Sequence, residues 1–307
     1  MTRLRVATYN LYLGADLALL FEVTDLKALA AQARVVRAQL AATRFEERAR
    51  AVALVLARER PDLVGLQEVS RWTLTPDTEE EQVVVDFLPA LVAELERAGC
   101  AYDVAADHPS FGGGLPLDEG WMGLRGADVV LLRRGGPVAV TGATSALFVR
   151  RLDVVTGIDG VTFPVVRGWA AVDLLLAGRP LRFVTTHTEA YDGPVRDAQR
   201  DELLAANADV VGPVVLVGDL NARPGDVGMP SGWTDAWTRG VGDGFTCGQA
   251  ADLANATSTL AERIDYVWVR GATVLAARVV GDRPEDRSTP HGLWPSDHAG
   301  VVADLEV

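Results

Sequence analysis

The chain has 307 residues, and its 29 basic and 42 acidic side chains give a formal net charge of −13. Hydrophobic residues make up 49% of the sequence, which excludes a disordered or fibrous chain. No apolar run approaches the roughly 20 residues that cross a bilayer, and the first ten residues lack the apolar core of a signal peptide. We therefore expect a cytoplasmic protein that is not an integral membrane protein.

The composition also bears on partners and on domain organisation. A net charge of −13 disfavours non-specific binding to long nucleic acid, because such binding depends on neutralising phosphates. The two cysteines are too few for a disulfide framework or a thiolate metal site. No linker, fixed-period repeat or long charge run divides the chain, so residues 1–307 are expected to form a single domain. No feature indicates an obligate protein partner.

Hydrophobic spacing predicts helices that alternate with short strands. The helical patterns are Leu26-Leu29-Ala33-Val36-Leu40, Ala49-Val52-Ala53-Leu56, residues 87–98, and Val195-Ala198-Leu203-Ala206-Val210. The predicted strands are residues 4–8, 63–66, 128–132, 138–149, 169–176, 181–186, 214–217, 264–269, 274–280 and 300–305. Hairpin-like pairs after residue 128 indicate antiparallel or mixed sheets covered by helices, which is an α/β fold.

Polar side chains stand at the ends of several of these apolar strands. Any one of them alone is better explained as a turn or helix-cap residue. A buried charge without a partner is costly, however, so the whole set indicates a catalytic or metal-binding site. Most offer carboxylate or amide oxygens, which suit Mg²⁺ better than zinc. The residues are Asn10, Glu68, His187, Asp219, Asn221, Asp265, Asp297 and His298.

Spacing indicates how two pairs within this set are arranged. Asp219 and Asn221 are two residues apart and would face the same side of an extended chain. Asp297 and His298 are adjacent, so both can point to one site only from a loop or a bulge.

Six short motifs in this order resemble those of the endonuclease/exonuclease/phosphatase superfamily, over residues 4 to about 305. The resemblance implies a four-layer α/β/β/α sandwich, in which two mostly antiparallel or mixed sheets are flanked by helices. The motifs are Tyr9-Asn10, Gln67-Glu68-Val69, Thr186-His187, Gly218-Asp219-Leu220-Asn221, Arg263-Ile264-Asp265-Tyr266 and Ser296-Asp297-His298.

The resemblance also implies roles for these residues. Glu68 would be the main ligand of Mg²⁺, with Mn²⁺ as the other candidate, assisted by Asn10 and Asp297. His187 and Asn221 would contact phosphate oxygens. Asp219 would position or deprotonate the attacking water, while Asp265 would orient His298. The sequence leaves open whether Asp219 or His298 is the base.

Other features concern the substrate. Arg196 and Gln199 follow His187 and are candidate substrate contacts, although a solvated helix face explains them equally well. Trp121 lies in a Gly-rich, partly apolar loop, residues 110–122, which is a substrate-selecting lid, a lipid-contacting hairpin or a loop packed on its own side chains. Residues 14–22 form a second apolar insertion. Tyr12 stands where some nucleases of the superfamily have an acidic ligand, which weakens an abasic-site nuclease assignment.

The function that these observations favour is Mg²⁺-dependent hydrolysis of a phosphoester, most simply a phosphodiester. The substrate would be a nucleic acid, a lipid or a small molecule. The alternatives are a nuclease acting on DNA or RNA and, from another class, a catalytically silent binding module on the same fold.

Overall fold

Two β-sheets stacked face to face form the centre of the protein. The computed structural model describes residues 2–77 and 79–307. Its helices are α1 (Leu26–Thr43), α2 (Phe45–Glu59), α3 (Phe87–Arg97) and α4 (Gly193–Ala206), with short 3₁₀ helices at Leu17–Leu20, Ala236–Arg239 and Pro284–Asp286. Its strands are β1 (Arg3–Asn10), β2 (Leu63–Thr75), β3 (Gln82–Asp86), β4 (Tyr102–Leu117), β5 (Gly120–Arg133), β6 (Val138–Leu147), β7 (Leu152–Val155), β8 (Thr162–Val165), β9 (Gly168–Leu176), β10 (Arg179–His187), β11 (Val214–Asp219), β12 (Thr234–Asp235), β13 (Asp265–Arg270), β14 (Thr273–Val280) and β15 (Gly300–Glu306).

Both large sheets are mixed and mostly antiparallel. The first has the order β14-β15-β1-β2-β5-β4, with β3 added on β2, and the second has the order β12-β13-β11-β10-β9-β6. Within these sheets β1 pairs with β2 in parallel, as does β10 with β11. Strands β7 and β8 form a separate antiparallel hairpin. The prediction of mixed sheets is confirmed.

Three apolar clusters show that the layers follow the order helix, sheet, sheet, helix. The cluster between the sheets contains Val6 from the first sheet and Val217 from the second. Helices α1, α2 and α3 cover the outer face of the first sheet, where Val52 and Leu91 are fully buried. Helix α4 covers the outer face of the second sheet through Leu203. The four-layer sandwich implied by the family resemblance is confirmed.

The helices form where the hydrophobic spacing predicts them. In α1 the residues at positions 29, 33, 36 and 40 are buried, and the Asp25 carboxylate accepts a hydrogen bond of 2.7 Å from the Ala28 amide at the helix start. Helix α4 begins in the same way, with Asp192 accepting a 2.9 Å bond from the Val195 amide. That helix ends at Ala206, so Val210 lies beyond it. None of the helices within residues 2–77 and 79–307 is long and apolar enough to cross a bilayer.

The largest difference from the sequence prediction lies in β2, β4 and β5. The predicted strand 63–66 is the start of a strand of 13 residues, and the predicted strand 128–132 is the end of one of 14 residues. Residues 110–122, predicted as a loop, form the end of β4, a tight turn and the start of β5, and Leu117 pairs with Gly120 across the turn. The glycines and prolines of β4 hide its strand character, because they are poor strand formers when isolated.

Candidate active site

Polar side chains continue the apolar rows that fill the space between the two sheets. Along β11, Val215 and Val217 belong to the inter-sheet core, and Asp219 is the next residue on the same face. The same alternation places Asn10 at the end of β1, Asp128 in β5, His187 at the end of β10 and Asp265 at the start of β13. The site therefore lies where β1, β10 and β11 end and β13 begins, so that both sheets contribute to it.

Asp219 is the centre of this group and is buried. Its Oδ2 accepts a 3.1 Å hydrogen bond from Asn10 Nδ2, and its Oδ1 accepts a 2.9 Å bond from the amide of Asn221. Its Oδ2 also lies 3.5 Å from His187 Nε2 and 3.8 Å from His298 Nε2. Burial, reinforced by the neighbouring Asp265 carboxylate, raises the pKa of Asp219 to about 7. This carboxyl group is therefore poised to exchange a proton near neutral pH.

His298 forms a buried pair with Asp265. Its Nδ1 lies 2.8 Å from Asp265 Oδ2. Burial alone would lower the pKa of His298, but the carboxylates of Asp265 and Asp297 raise it well above the usual value, so the ring is an imidazolium at neutral pH. Both His298 and Asp297 lie in the loop before β15, which is how adjacent residues reach one site.

His187 has a different environment. Arg167 Nη1 lies 3.0 Å from His187 Nδ1, and because a guanidinium only donates, that nitrogen is the acceptor and Nε2 carries the hydrogen. Burial and the nearby charges of Arg167 and His298 hold the pKa of His187 well below its usual value. The two histidines of the site thus differ in charge. Arg167 was not identified from the sequence, where a single arginine before a strand carries no distinctive signal.

A cleft of about 330 Å³ opens beside these residues, and the carboxyl groups that line it belong to Asp16, Glu68 and Asp297. Glu68 lies at a bulge of β2 with φ +56°, and its Oε2 accepts a 2.7 Å hydrogen bond from the Leu13 amide. Asp297 lines the same cleft. Burial and the negative charge of Glu68 raise the pKa of Asp297 to about 6, although the charge of His298 acts in the opposite direction. Two carboxylates that repel each other in one cleft are the arrangement a cation stabilises, so these residues fit a Mg²⁺ or Mn²⁺ ion.

The third predicted ligand, Asn10, is already engaged through both amide atoms. Its Oδ1 accepts a 2.9 Å bond from the Tyr12 amide, while its Nδ2 donates to Asp219. A second grouping of ligand atoms also exists, because those of Asp219, Asp265 and His298 lie within 4.8 Å of one another. In that grouping the His298–Asp265 hydrogen bond already joins two of the three members, which favours Glu68 and Asp297 as the metal side of the site.

Arg48, a residue that the sequence analysis missed, holds the loops of the site together. It is fully buried and donates to the backbone carbonyls of Thr43, Leu11, Tyr12 and Pro295, at distances of 2.7 to 3.1 Å. It therefore fixes the segment after β1 to the segment that carries Asp297 and His298. An arginine in the first turn of an amphipathic helix gives no signal of such a role.

Asp128 is a further residue that the sequence analysis did not single out. Both of its carboxylate oxygens are buried without a hydrogen-bond partner, and burial raises its pKa to about 8, although the charge of Arg167 acts in the opposite direction. A signal was present in the sequence, because Asp128 stands at the edge of an apolar strand as the other site residues do.

Three predicted substrate contacts lie elsewhere. Gln199 is buried. Its side chain accepts a 2.8 Å hydrogen bond from the Glu189 amide and donates a 2.9 Å hydrogen bond to the Arg150 carbonyl, so it holds the backbone of two loops. Arg196 lines a small separate hollow against α4. Trp121 is 54% exposed on the β4–β5 hairpin, outside the cleft. The aromatic side chains that do line the cleft are Tyr12, Phe21, Phe111 and Tyr191.

Comparison with known proteins gives one family and one fold. The model of the Endonuclease/Exonuclease/phosphatase family matches residues 7–298. Among solved structures, an endonuclease/exonuclease/phosphatase from Bacteroides vulgatus aligns with a TM-score of 0.62 at 18% identity over 100% of both chains. D. rerio TDP2 humanized by 14 mutations aligns with a TM-score of 0.61 at 19% identity over 99% of both chains. D. rerio TDP2 complexed with single strand DNA product aligns with a TM-score of 0.59 at 18% identity over 100% of both chains. No curated protein matches significantly.

Proposed function

Since the chain belongs to the Endonuclease/Exonuclease/phosphatase family, whose members hydrolyse phosphoester bonds, we propose that it is a Mg²⁺-dependent phosphodiesterase. Water would attack phosphorus and break a P–O bond. The observation that carries this proposal is the buried cluster of Asp219, His187, Asp265 and His298, which lies next to a cleft lined by the Arg167 guanidinium and the carboxylates of Glu68 and Asp297.

Asp219 is the proposed base. A carboxyl group whose pKa is raised by burial accepts a proton from water more readily than an ordinary aspartate does. The hydrogen bonds from Asn10 and from the Asn221 amide hold both of its oxygens in place. His298 is already protonated at neutral pH and is therefore unsuited to the role of base.

The cationic and N–H groups are proposed to bind the phosphate. Negative charge grows on the phosphoryl oxygens as water attacks, and preorganised donors stabilise it. The His298 imidazolium, oriented by Asp265, and the Arg167 guanidinium supply positive charge, while His187 Nε2–H and the Asn221 side chain supply neutral donors. Each of these groups is fixed by a partner before substrate arrives.

Glu68 and Asp297, with Asn10 beside them, would hold Mg²⁺ or Mn²⁺. Such an ion, when bound, neutralises charge on the phosphoryl and leaving-group oxygens. The oxygen-only donor set supports this choice of metals.

A silent binding module explains the site less well. Burying Asp219, Asp265 and His298 together costs free energy that a binding surface does not need to spend, whereas proton transfer requires such perturbed groups.

The test is hydrolysis of bis-(p-nitrophenyl) phosphate by the full chain, with Mg²⁺ and with EDTA. We expect turnover only with metal, and a loss of about a hundredfold or more in Asp219→Asn, as is typical when a catalytic base is removed. Asp209→Asn, an exposed aspartate on the loop after α4, is the matched control. Equal turnover by Asp219→Asn and Asp209→Asn would contradict the proposal.

A nuclease is the second candidate, because one structural relative is a D. rerio TDP2 complexed with single strand DNA product. The net charge of −13 argues against a long binding track for duplex DNA. Titration of Asp219→Asn with duplex and single-stranded DNA at low ionic strength separates the two candidates. Tight binding that weakens steeply with salt would place the nuclease first.

A further inference from the structure

A second cavity of about 190 Å³ adjoins the catalytic cleft. The two volumes share four lining side chains, so hydrocarbon and aromatic surface runs continuously from one to the other. The shared residues are Leu17, Phe21, Phe111 and Leu124.

The side chains that line this second cavity are apolar apart from Thr162, and the indole N–H of Trp72 already has a hydrogen-bond partner. Leu20, Leu115 and Trp72 are buried around it. Trp72 Nε1 donates a 2.8 Å hydrogen bond to the Leu13 carbonyl, so a ligand in the cavity does not have to supply an acceptor for it. A cavity of this kind holds water poorly, because water needs two or more polar partners.

The sequence keeps this space open. Three successive glycines, Gly112 to Gly114, form one wall in β4, and a Cβ atom added at Gly113 would meet nothing within 4 Å. Trp72 of β2 and Leu124 of β5 line it from the first sheet, and the remaining walls come from the 3₁₀ helix Leu17–Leu20 with Phe21 and from the β7–β8 hairpin. Empty space costs packing energy, and here it lies between the first sheet and segments outside the sandwich.

The cleft itself orients a substrate toward this space. Arg167, Glu68 and Asp297 mark where the phosphate lies under the proposed function, and they line the same cleft as Phe21 and Phe111. Phe21 is held edge-on to Tyr191 with ring centroids 4.9 Å apart, which fixes the aromatic wall.

We propose that the second cavity binds an apolar group, alkyl or aryl, that is esterified to the scissile phosphate. This inference rests on the proposed phosphodiesterase function and names its substrate class: a small phosphodiester with one hydrocarbon arm. The polar residues of the proposed active site would act on the phosphate and the attacking water, while the cavity selects the hydrocarbon arm.

The test uses three diesters with one leaving group: methyl, hexyl and phenyl p-nitrophenyl phosphate. The wild-type kcat/KM for the hexyl or the phenyl ester is expected to exceed that for the methyl ester at least tenfold. A larger gain with hexyl identifies an alkyl arm, and a larger gain with phenyl identifies an aryl arm. Values within threefold of one another for all three esters would overturn the inference.

The second part of the experiment fills the cavity with a side chain. Gly113→Leu is expected to reduce the hexyl-to-methyl or phenyl-to-methyl ratio of kcat/KM below threefold. Gly113→Ala should reduce this ratio partly, and it replaces the leucine variant if that variant does not fold. Gly225→Leu, whose added Cβ also meets nothing within 4 Å, is the matched control and should keep the wild-type ratio. A ratio unchanged in both Gly113 variants would contradict the assignment.

Binding without turnover separates this inference from the proposed function. Hexylphosphonate or phenylphosphonate should raise the melting temperature of wild-type protein more than methylphosphonate does, and this difference should disappear in Gly113→Ala or Gly113→Leu. If none of the three esters is hydrolysed, the proposed function fails. The difference in melting-temperature shift between the phosphonates still shows in that case whether the cavity binds an apolar group. Equal shifts with all three phosphonates would overturn the cavity assignment.

Discussion

Asp265 Oδ2 and His298 Nδ1 lie 2.8 Å apart and connect elements of different sheets. Asp265 opens β13 in the second sheet, and His298 lies in the loop that leads into β15 of the first. Asp265 Oδ1 is buried without a hydrogen-bond partner, so the bond to His298 is the principal compensation for burying that carboxylate. The pair both joins the sheets and sets the charge of the histidine.

A double-mutant cycle should show that these two residues act as a unit. Asp265→Asn and His298→Ala are each expected to lower kcat by about a hundredfold or more, because the imidazolium stabilises charge that develops in the transition state. The double variant should be little worse than His298→Ala alone. Losses that multiply would show that Asp265 does not act through His298. Asp209→Asn again serves as the control.

Arg167 is expected to bind the phosphate. Arg167→Met keeps the length of the stem and removes the charge, so kcat/KM for the phosphodiester should fall by about tenfold or more, which is the range for the loss of a charge-assisted hydrogen bond. His187 also loses its Nδ1 partner. The control is Arg3→Met, an exposed residue at the opposite end of β1 from Asn10. Equal kinetics in both variants would remove Arg167 from the site.

Metal binding can be measured apart from activity. Mg²⁺ or Mn²⁺ should raise the melting temperature of wild-type protein, because an ion that binds only the folded state stabilises it. Glu68→Gln should abolish this shift, while Glu119→Gln, on the exposed turn of the β4–β5 hairpin, should keep it. EDTA should remove the activity, and added Mg²⁺ should restore it. A shift unchanged in Glu68→Gln would move the metal to another set of residues.

His108 predicts a pH dependence of stability. The ring is buried with Nε2 unpartnered, and burial lowers its pKa to about 4 from an unfolded value near 6.5. The unfolded chain therefore binds the proton first, and the contribution of this residue is complete above pH 6.5 and is lost as the pH falls toward 4.

Urea unfolding of wild-type and His108→Leu protein at pH 7.5 and pH 5 measures this effect. The free energy of unfolding of the wild type should fall relative to the variant by about 2 kcal/mol over that interval, as proton linkage gives for these two pKa values. Effects of the carboxyl groups are common to both proteins and cancel. A difference that is the same at both pH values would show that His108 titrates normally.

Much of the fold follows from local patterns, and the exceptions have physical reasons. The buried faces of α1 and α2 repeat at helical spacing, and β1 and β11 are apolar runs, so each is readable from a short window. Strand β4 contains Pro109 and three glycines, and its extended form depends on pairing with β5. Such tertiary pairing is invisible in the segment itself.

The same distinction divides the residues of the site. His187, Asp219 and Asp265 interrupt or end apolar strands, so their polarity stands out, and the structure brings them together with His298. Their catalytic roles stay predictions. Arg48 and Arg167 act through partners that are distant in the sequence, and among many other arginines nothing marks them. Trp121 shows the opposite case, since a conspicuous aromatic residue lies outside the cleft.

The position of β15 between β14 and β1 has a consequence for how the protein is made. Strand β1 leaves the ribosome long before β15, yet the two strands pair antiparallel, from Arg3 with Glu306 to Thr8 with Val301. Until that strand arrives, one edge of β1 lacks its partner and invites association with other chains. The loop of Asp297 and His298 immediately precedes the same strand, so we expect the nascent chain to stay inactive until β15 has been synthesised. Closure over nearly 300 residues also makes this a slow step of folding.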